Sequence, residues 1–237
     1  MKIAQVVVLI CAEAEWRVAR QWFQQSPIEQ TPFGESLHLN LCGSEVACLH
    51  TGWGKVAAAA ATQYAIQSMQ PSLVINLGTC GGFAGEIERG AVILAEETLI
   101  YDIIEQMGDP DQALDYYRTH LDLAWLSAPP YPLPVRRGRL ISADRDILSH
   151  DIPTLKQRFQ AVAADWESGA IAWVAHRNGT PCLILRGVSD LVAESGGEAY
   201  GDLAVFHAGT QQVMQALLES LPNWLACANI GFLECGA

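Results

Sequence analysis

The 237-residue sequence is short of positive charge: 14 lysines and arginines stand against 26 aspartates and glutamates, a net charge of −12. A surface so biased repels a phosphate backbone, which argues against DNA or RNA as a partner. Long apolar runs are also missing. Acids, glycines or prolines interrupt each hydrophobic stretch before it reaches the roughly 18 residues of a membrane helix, so no membrane partner is expected. The apolar opening MKIAQVVVLI passes straight into CAEAEWR with no basic lead and no small-residue cleavage site. It is therefore expected to be a first strand and not a signal peptide, in a soluble cytoplasmic protein. Seven cysteines (11, 42, 48, 80, 182, 227 and 235) make an odd count without CxxC spacing, which fits buried reduced thiols better than disulfides or zinc. The six histidines form no HExxH or HxH, so no metal site is expected; His176 reads as a surface or satisfied helix residue. GxGxxG and GK[ST] are absent, which weighs against NAD and ATP, and no cofactor is expected. Without a GxSxG elbow, a serine hydrolase is disfavoured as well.

What is present suits a folded α/β domain. Half of the residues are hydrophobic and 17% are charged, enough for a sizeable core. No internal repeat or linker divides the chain, so residues 1–237 are read as a single domain. Runs rich in Val, Ile and Leu at 3–10, 45–50, 72–77, 91–95, 138–142 and 181–188 read as strands. Helical segments are expected at 13–24, 55–69, 151–160, 167–178 and 203–221. This alternation predicts a largely parallel sheet flanked by helices. Residues 36–51 look like two strands turning at Cys42-Gly43-Ser44, which makes the sheet mixed. The stretch 105–135, with its cluster of prolines, suits an ordered excursion or lid more than core.

Carboxylates gather where these strands should end. Glu13 and Glu15 follow the first strand, Asp144 follows 138–142, and Asp190 follows 181–188; the glycines of NLGTCGGF, residues 76–83, follow 72–77. Ligands of open α/β sheets bind beyond the carboxyl ends of the strands, so these positions share one expected rim. Each has a plainer explanation too. Acids in a first helical turn, such as Glu13, Glu15 and Glu167, complement the helix dipole, Asp190 could be an N-cap, and the glycines could serve a tight turn. Taken together, a cleft of carboxylates without metal, nucleophilic serine or nucleotide loop fits acid/base cleavage of a bond whose leaving group must be protonated.

Four stretches, VVVLICAEAEW, INLGTCGGFAGEIERGAVIL with a following YD, LISADRDI, and DWESGAIAWVA with PCLILRGVSD, occur in an order that resembles the nucleoside phosphorylase and nucleosidase superfamily. The resemblance is strongest to its 5′-methylthioadenosine/S-adenosylhomocysteine nucleosidase branch. It implies a three-layer α/β/α sandwich around a mixed, mostly parallel sheet, assembled as a homodimer. It implies hydrolysis of the N-glycosidic bond of adenine nucleosides modified at the 5′ position. A phosphate-dependent phosphorylase, a futalosine-type hydrolase and a non-catalytic nucleoside-binding protein are the alternatives. By resemblance, Asp190 protonates the purine at N7, Glu15 or else Glu13 activates water, and Glu167 grips the ribose hydroxyls. Thr79 and Gly81 face the ribose and nucleophile, and Trp166, Ser189, Asp146 and Ile147 complete the substrate site. Three positions depart from the branch: Trp166 stands in place of Met, Asp146 in place of an aromatic residue that stacks on adenine, and Tyr101-Asp102 in place of His-Asp. The arginine that phosphorylases carry two residues before the loop glycine is Asn76 here, and Arg17 is the cation nearest the first-strand acids.

Overall fold

The structure, a computed structural model, describes residues 4–193 and 195–230; Ile3 of the first expected strand and Cys235 lie outside them. Its centre is β1 (Val6–Ile10), whose VVVLI is buried at every position. It runs parallel to β4 (Ser44–His50) on one side and β5 (Leu73–Phe83) on the other. A strand covered on both faces has no need of polar alternation, which is why this run is apolar throughout. Val6, Val8 and Ile10 pack with α1 (Glu13–Trp22) and α6 (Leu203–Ala226). Val7 and Leu9 pack with α2 (Lys55–Met69) and α5 (Ser168–Arg177) on the opposite face. The result is helices, sheet, helices, the layered arrangement expected. Small residues set the close approach of α2 and α5 to the sheet: Ala58, Ala61 and Ala65 on one, Gly169, Ala170, Ala172 and Ala175 on the other, are all buried.

The expected pair of strands around Cys42-Gly43-Ser44 is β3 (Glu35–Leu41) and β4, antiparallel with Leu41 opposite Ser44. Cys42 and Gly43 both take positive φ, 52° and 81°, as a two-residue hairpin turn requires. A short β2 (Ile28–Gln30) extends this edge. Within 105–135 lie α3 (Pro110–Tyr116) and β7 (Arg118–His120), which pairs with β6 (Val92–Ile100).

Three expected strand ends are corrected. The glycine stretch is not a loop after a strand ending at residue 77, because β5 continues through it to Phe83. Likewise β10 (Cys182–Ala193) runs past residue 188, and β6 runs to Ile100 instead of stopping near 95. These extensions close the sheet on itself. β5 pairs with β10, β10 with β6, β6 with β8 (Val135–Ser142), β8 with β9 (Ala163–Asp165), and β9 returns to β5. The longest of these ladders, β5–β10 and β6–β8, are parallel. A closed circuit leaves no edge there, and glycines can sustain it because their backbones pair without side chains to crowd the interior. β11 (Gly196–Gly197) and α4 (Ile152–Phe159) complete the fold.

Of the cysteines, 11, 48, 80 and 182 are buried as expected, whereas Cys42 is exposed in its turn and Cys227 is half-buried. Burial pushes the Cys48 and Cys182 thiols up to about 12, which keeps them protonated and unreactive.

Candidate active site

Sequence reading overlooked the group at the centre of the site. Arg186 of β10 is 1% exposed and lies among three carboxylates. Its Nε is 3.0 Å from Asp165 Oδ2, its Nη2 3.4 Å from Glu167 Oε2, and its Nη1 3.5 Å from Glu15 Oε1. Burial works against the guanidinium charge, yet Asp165 and Glu15 hold it above its usual range. Nothing in LILRGV marks the arginine beforehand except a cation within an otherwise apolar run. A charge almost never buried without a partner is the signal that could have found it.

Each carboxylate is fixed by its own element. Glu15 sits in the first turn of α1 and reaches back to accept from the N-cap amide, Ala12 N, at 3.0 Å and from Cys11 N before it at 3.3 Å. Its other oxygen accepts from Thr79 N at 2.6 Å and Thr79 Oγ1 at 2.8 Å. Glu13, by contrast, points outward, 3.9 Å from His50 with a side chain 64% exposed. Asp165 ends β9, accepts from Ser142 Oγ at 2.5 Å and Ser168 N at 3.2 Å, and so anchors the start of α5. Glu167 is the residue before α5 and accepts from Gly54 N at 2.9 Å. Burial pushes its carboxyl up to about 7; Asp165 and Glu15 add to the rise, while Arg186 and the Gly54 amide oppose it. Gly78 has no room for a side chain: a Cβ there would stand 2.3 Å from Arg186 Nη1 and 2.8 Å from Glu15 Oε1.

Asp190 lies farther along β10, inside the strand and not beyond its end. The ladder with β5 slips after Val188, and Ser189 is the extra residue. Without that slip Asp190 would face Gly82; with it, Asp190 stands opposite Gly81. Ser189 Oγ donates to Asp190 Oδ1 at 2.6 Å. Gly209 of α6 is pressed against the Ser189 carbonyl, where a Cβ would come within 2.1 Å, so the helix backs the bulge. Burial raises the Asp190 carboxyl; the Ser189 bond opposes this, and the charges of Glu198 and Asp146 add to it. Ile147 Cδ1 closes over Gly81, 2.7 Å from where a Cβ would stand. The Ile147 carbonyl accepts from Tyr200 Oη at 2.8 Å, which ties Tyr200 to the turn that carries Asp146 and Ile147. Asp146 itself is exposed. Tyr200 was also missed, because its separation from Ile147 in sequence gives no hint of contact.

The structure thus joins Glu15, Thr79, Glu167 and Arg186 in one buried cluster, and Ser189, Asp190, Gly81, Asp146 and Ile147 in a second, with β5 and β10 common to both. Trp166 meets Trp53 at 5.4 Å between ring centroids. Both border a shallow cavity of about 240 Å³ that Gly54, Lys55, Val56 and Asp144 complete. Asn76 is buried and donates to the Leu9 carbonyl at 3.0 Å. Arg17 is exposed and lines a different cavity with Arg20, Phe23 and Ile28. No group of three or more His, Cys, Asp or Glu side chains among the described residues could hold a metal ion.

Comparison with known proteins identifies the family. A family model described as the phosphorylase superfamily matches residues 6–221. The 5′-methylthioadenosine/S-adenosylhomocysteine nucleosidase of Halalkalibacterium halodurans is 30% identical over 170 residues, covering 68% of this chain and 74% of that protein. The protein of the same name from Bacillus cytotoxicus is 25% identical over 229 residues, 91% of this chain and 99% of its own. The crystal structure of the Neisseria meningitidis nucleosidase in complex with methylthio-immucillin-A shares the fold with a TM-score of 0.73 at 22% identity, covering 93% of this chain and 98% of that one. With its ordered motifs, its closed mixed sheet and a family match over residues 6–221, the chain belongs to the nucleoside phosphorylase/nucleosidase superfamily.

Proposed function

We propose that this protein is a nucleosidase that hydrolyses the N-glycosidic bond of adenine nucleosides modified at the 5′ position, of the 5′-methylthioadenosine and S-adenosylhomocysteine type, and releases the purine. The observation that carries the choice of water over phosphate is the charge balance around Arg186. Its guanidinium already faces Asp165, Glu15 and Glu167, so a phosphate dianion would enter a region of excess negative charge. Phosphate sites are usually built from arginines whose forks are free to match the oxygens. Here Asn76 and the outward Arg17 offer no such fork.

Roles follow from placement. Asp190, whose raised carboxyl retains a proton more readily than an ordinary aspartate, donates toward N7 and makes adenine a better leaving group. Glu15, held by Thr79 and its own helix start, orients and deprotonates the water. Positive charge that develops on the ribosyl ring is stabilised by the surrounding carboxylates, which the fold fixes in place beforehand. Glu167 binds the ribose hydroxyls, Thr79 and Gly81 line the ribose subsite, and Ser189, Ile147 and Asp146 border the base, with Trp166 beside the ribose. We further propose that it works in the cytoplasm as a homodimer, without a cofactor. No described helix is long and apolar enough to cross a membrane, and Trp53, Val56, Ile104 and Met107 present exposed apolar surface.

Incubation with 5′-methylthioadenosine in phosphate-free buffer, read by chromatography, tests the reading. Free adenine and 5′-methylthioribose are expected, at a rate that added phosphate does not increase. A 5-methylthioribose 1-phosphate product, or an absolute need for phosphate, overturns the hydrolase in favour of a phosphorylase.

A further inference from the structure

The turn Gly52-Trp53-Gly54 leads into α2, a 15-residue helix with no side-chain cap of its own. Its first amides are satisfied from other parts of the chain instead. Gly54 N donates to Glu167 and Lys55 N donates to Asp144 Oδ1, at 2.9 and 2.7 Å. Asp144 N in turn donates to Asp102 Oδ2 at 3.0 Å, and Asp102 Oδ1 accepts from Lys55 Nζ. The contacts form a ring: Lys55 backbone to Asp144 side chain, Asp144 backbone to Asp102 side chain, Asp102 side chain to Lys55 side chain. Lys55 Nζ also lies 3.8 Å from Asp144 Oδ2. The ring ties the start of α2 to the turns that follow β6 and β8. The side chains of Lys55 and Asp102 are 17% and 18% exposed, so water screens their charges less than at an open surface.

The ring reaches Glu167 through the short step from Lys55 to Gly54. Gly54 takes a φ of +88°, which other residues rarely adopt, and a Cβ there would stand 3.2 Å from Asp144 Oδ1. The turn is thus held close on one side by the ring, and on the other its amide meets Glu167. We propose that Asp102, Lys55 and Asp144 are positioning residues for Glu167: a three-segment latch that holds the Gly54 amide against its carboxylate without contacting Glu167 itself. The inference rests on the role given to Glu167 under the proposed function. It accounts for Asp102 and for the rim acid Asp144, which the proposed chemistry leaves without a task.

The mechanism is mechanical and electrostatic together. Glu167 is held by one amide on Oε1 and one guanidinium on Oε2. If α2 loosens, Arg186 alone holds the carboxylate and can draw it inward, away from the ribose. The amide also helps keep Glu167 ionised, so its loss raises the carboxyl further. The other charged or titratable groups facing Glu167 are Asp165 from β9, Glu15 from α1, Arg186 from β10 and Cys11 after β1.

The test compares wild type with Asp102→Ala, with Lys55→Met as a second way to open the ring should the first variant not fold. In ¹⁵N-labelled full-length protein, the Gly54 amide resonance should follow the titration of Glu167 around pH 7 in wild type and lose that response in the variants. On activity, kcat/KM for the ribonucleoside should fall by about tenfold or more, the size of a lost hydrogen bond to a charged group. The 2′,3′-dideoxy analogue, which offers Glu167 no hydroxyl, should change little. Asp102→Asn, which keeps an acceptor for Asp144 N, should recover part of the loss. An unchanged Gly54 titration in the opened ring overturns the proposal, and so does an equal fold-loss on both substrates. If wild-type protein releases no base at all, the nucleosidase reading fails, while the Gly54 titration still decides the latch.

Discussion

Glu167→Gln is expected to make the protein more stable at about pH 8 while weakening its grip on ribose. In the fold, burial moves the Glu167 carboxyl from an ordinary 4.5 to about 7. Between those values the folded protein keeps a proton that the unfolded chain has released. For this group, stability is therefore greatest below about 4.5, falls as pH rises, and has lost its full share above about 7. That share is about 3 kcal/mol. Glutamine imitates the protonated acid and never ionises, and its carbonyl can still accept from Gly54. The amide hydrogens facing Arg186 reduce the gain at every pH, so about 1–3 kcal/mol is expected at pH 8, and the difference between the two proteins falls by about 3 kcal/mol on going to pH 4. Asp165 and Glu15 remain as counter-ions, so Arg186 is not left unpaired by the change. Urea unfolding of both proteins across this pH range measures the difference directly, and any contribution from Asp190 cancels between them. The same variant should discriminate less in favour of ribosides with free 2′ and 3′ hydroxyls. A variant less stable than wild type at pH 8, or a difference independent of pH, would refute the argument that ionising Glu167 is what costs stability.

Asp190→Asn should lower kcat/KM on 5′-methylthioadenosine by about 10²- to 10⁴-fold, because an amide cannot deliver a proton to N7; turnover close to wild type contradicts that role. Glu15→Gln should abolish turnover while leaving a non-hydrolysable substrate analogue bound within a few fold, measured by calorimetry. Glu13→Gln should behave as wild type in the same assays, since Glu13 is directed to solvent. The opposite pattern would reassign the water-activating carboxylate.

The closed circuit of strands shows where sequence pattern stops being informative. A run such as VVVLI, short and β-branched, reads as a buried strand, and an alanine-rich segment of 15 residues between strands reads as a helix close to a sheet. In NLGTCGGF the glycines read as a loop, because glycine is the common currency of turns and of tight backbone approach alike. What keeps this stretch extended is pairing with β10 on one side and β9 on the other, contacts made with residues about a hundred positions away. Asp190 suffers the same ambiguity. An acid after an apolar run looks like a strand end, and the one-residue slip that turns it toward Gly81 has no signature in the letters themselves.

By itself, the sequence determined the alternation of strands and helices, the hairpin at Cys42-Gly43, and the identities of Glu15, Glu167 and Asp190 as acids beside apolar segments. These are local matters, governed by periodicity, turn chemistry and the ordered motifs. Tertiary structure alone decided that Glu15 faces inward and Glu13 outward, since that depends on how α1 lies against β5. It also placed Arg186 among three acids contributed by α1, β9 and the start of α5, brought Tyr200 to Ile147, and joined Lys55, Asp102 and Asp144 at the head of α2. A buried charge is tolerated only where partners converge from separate segments, and that convergence is a property of the packed chain.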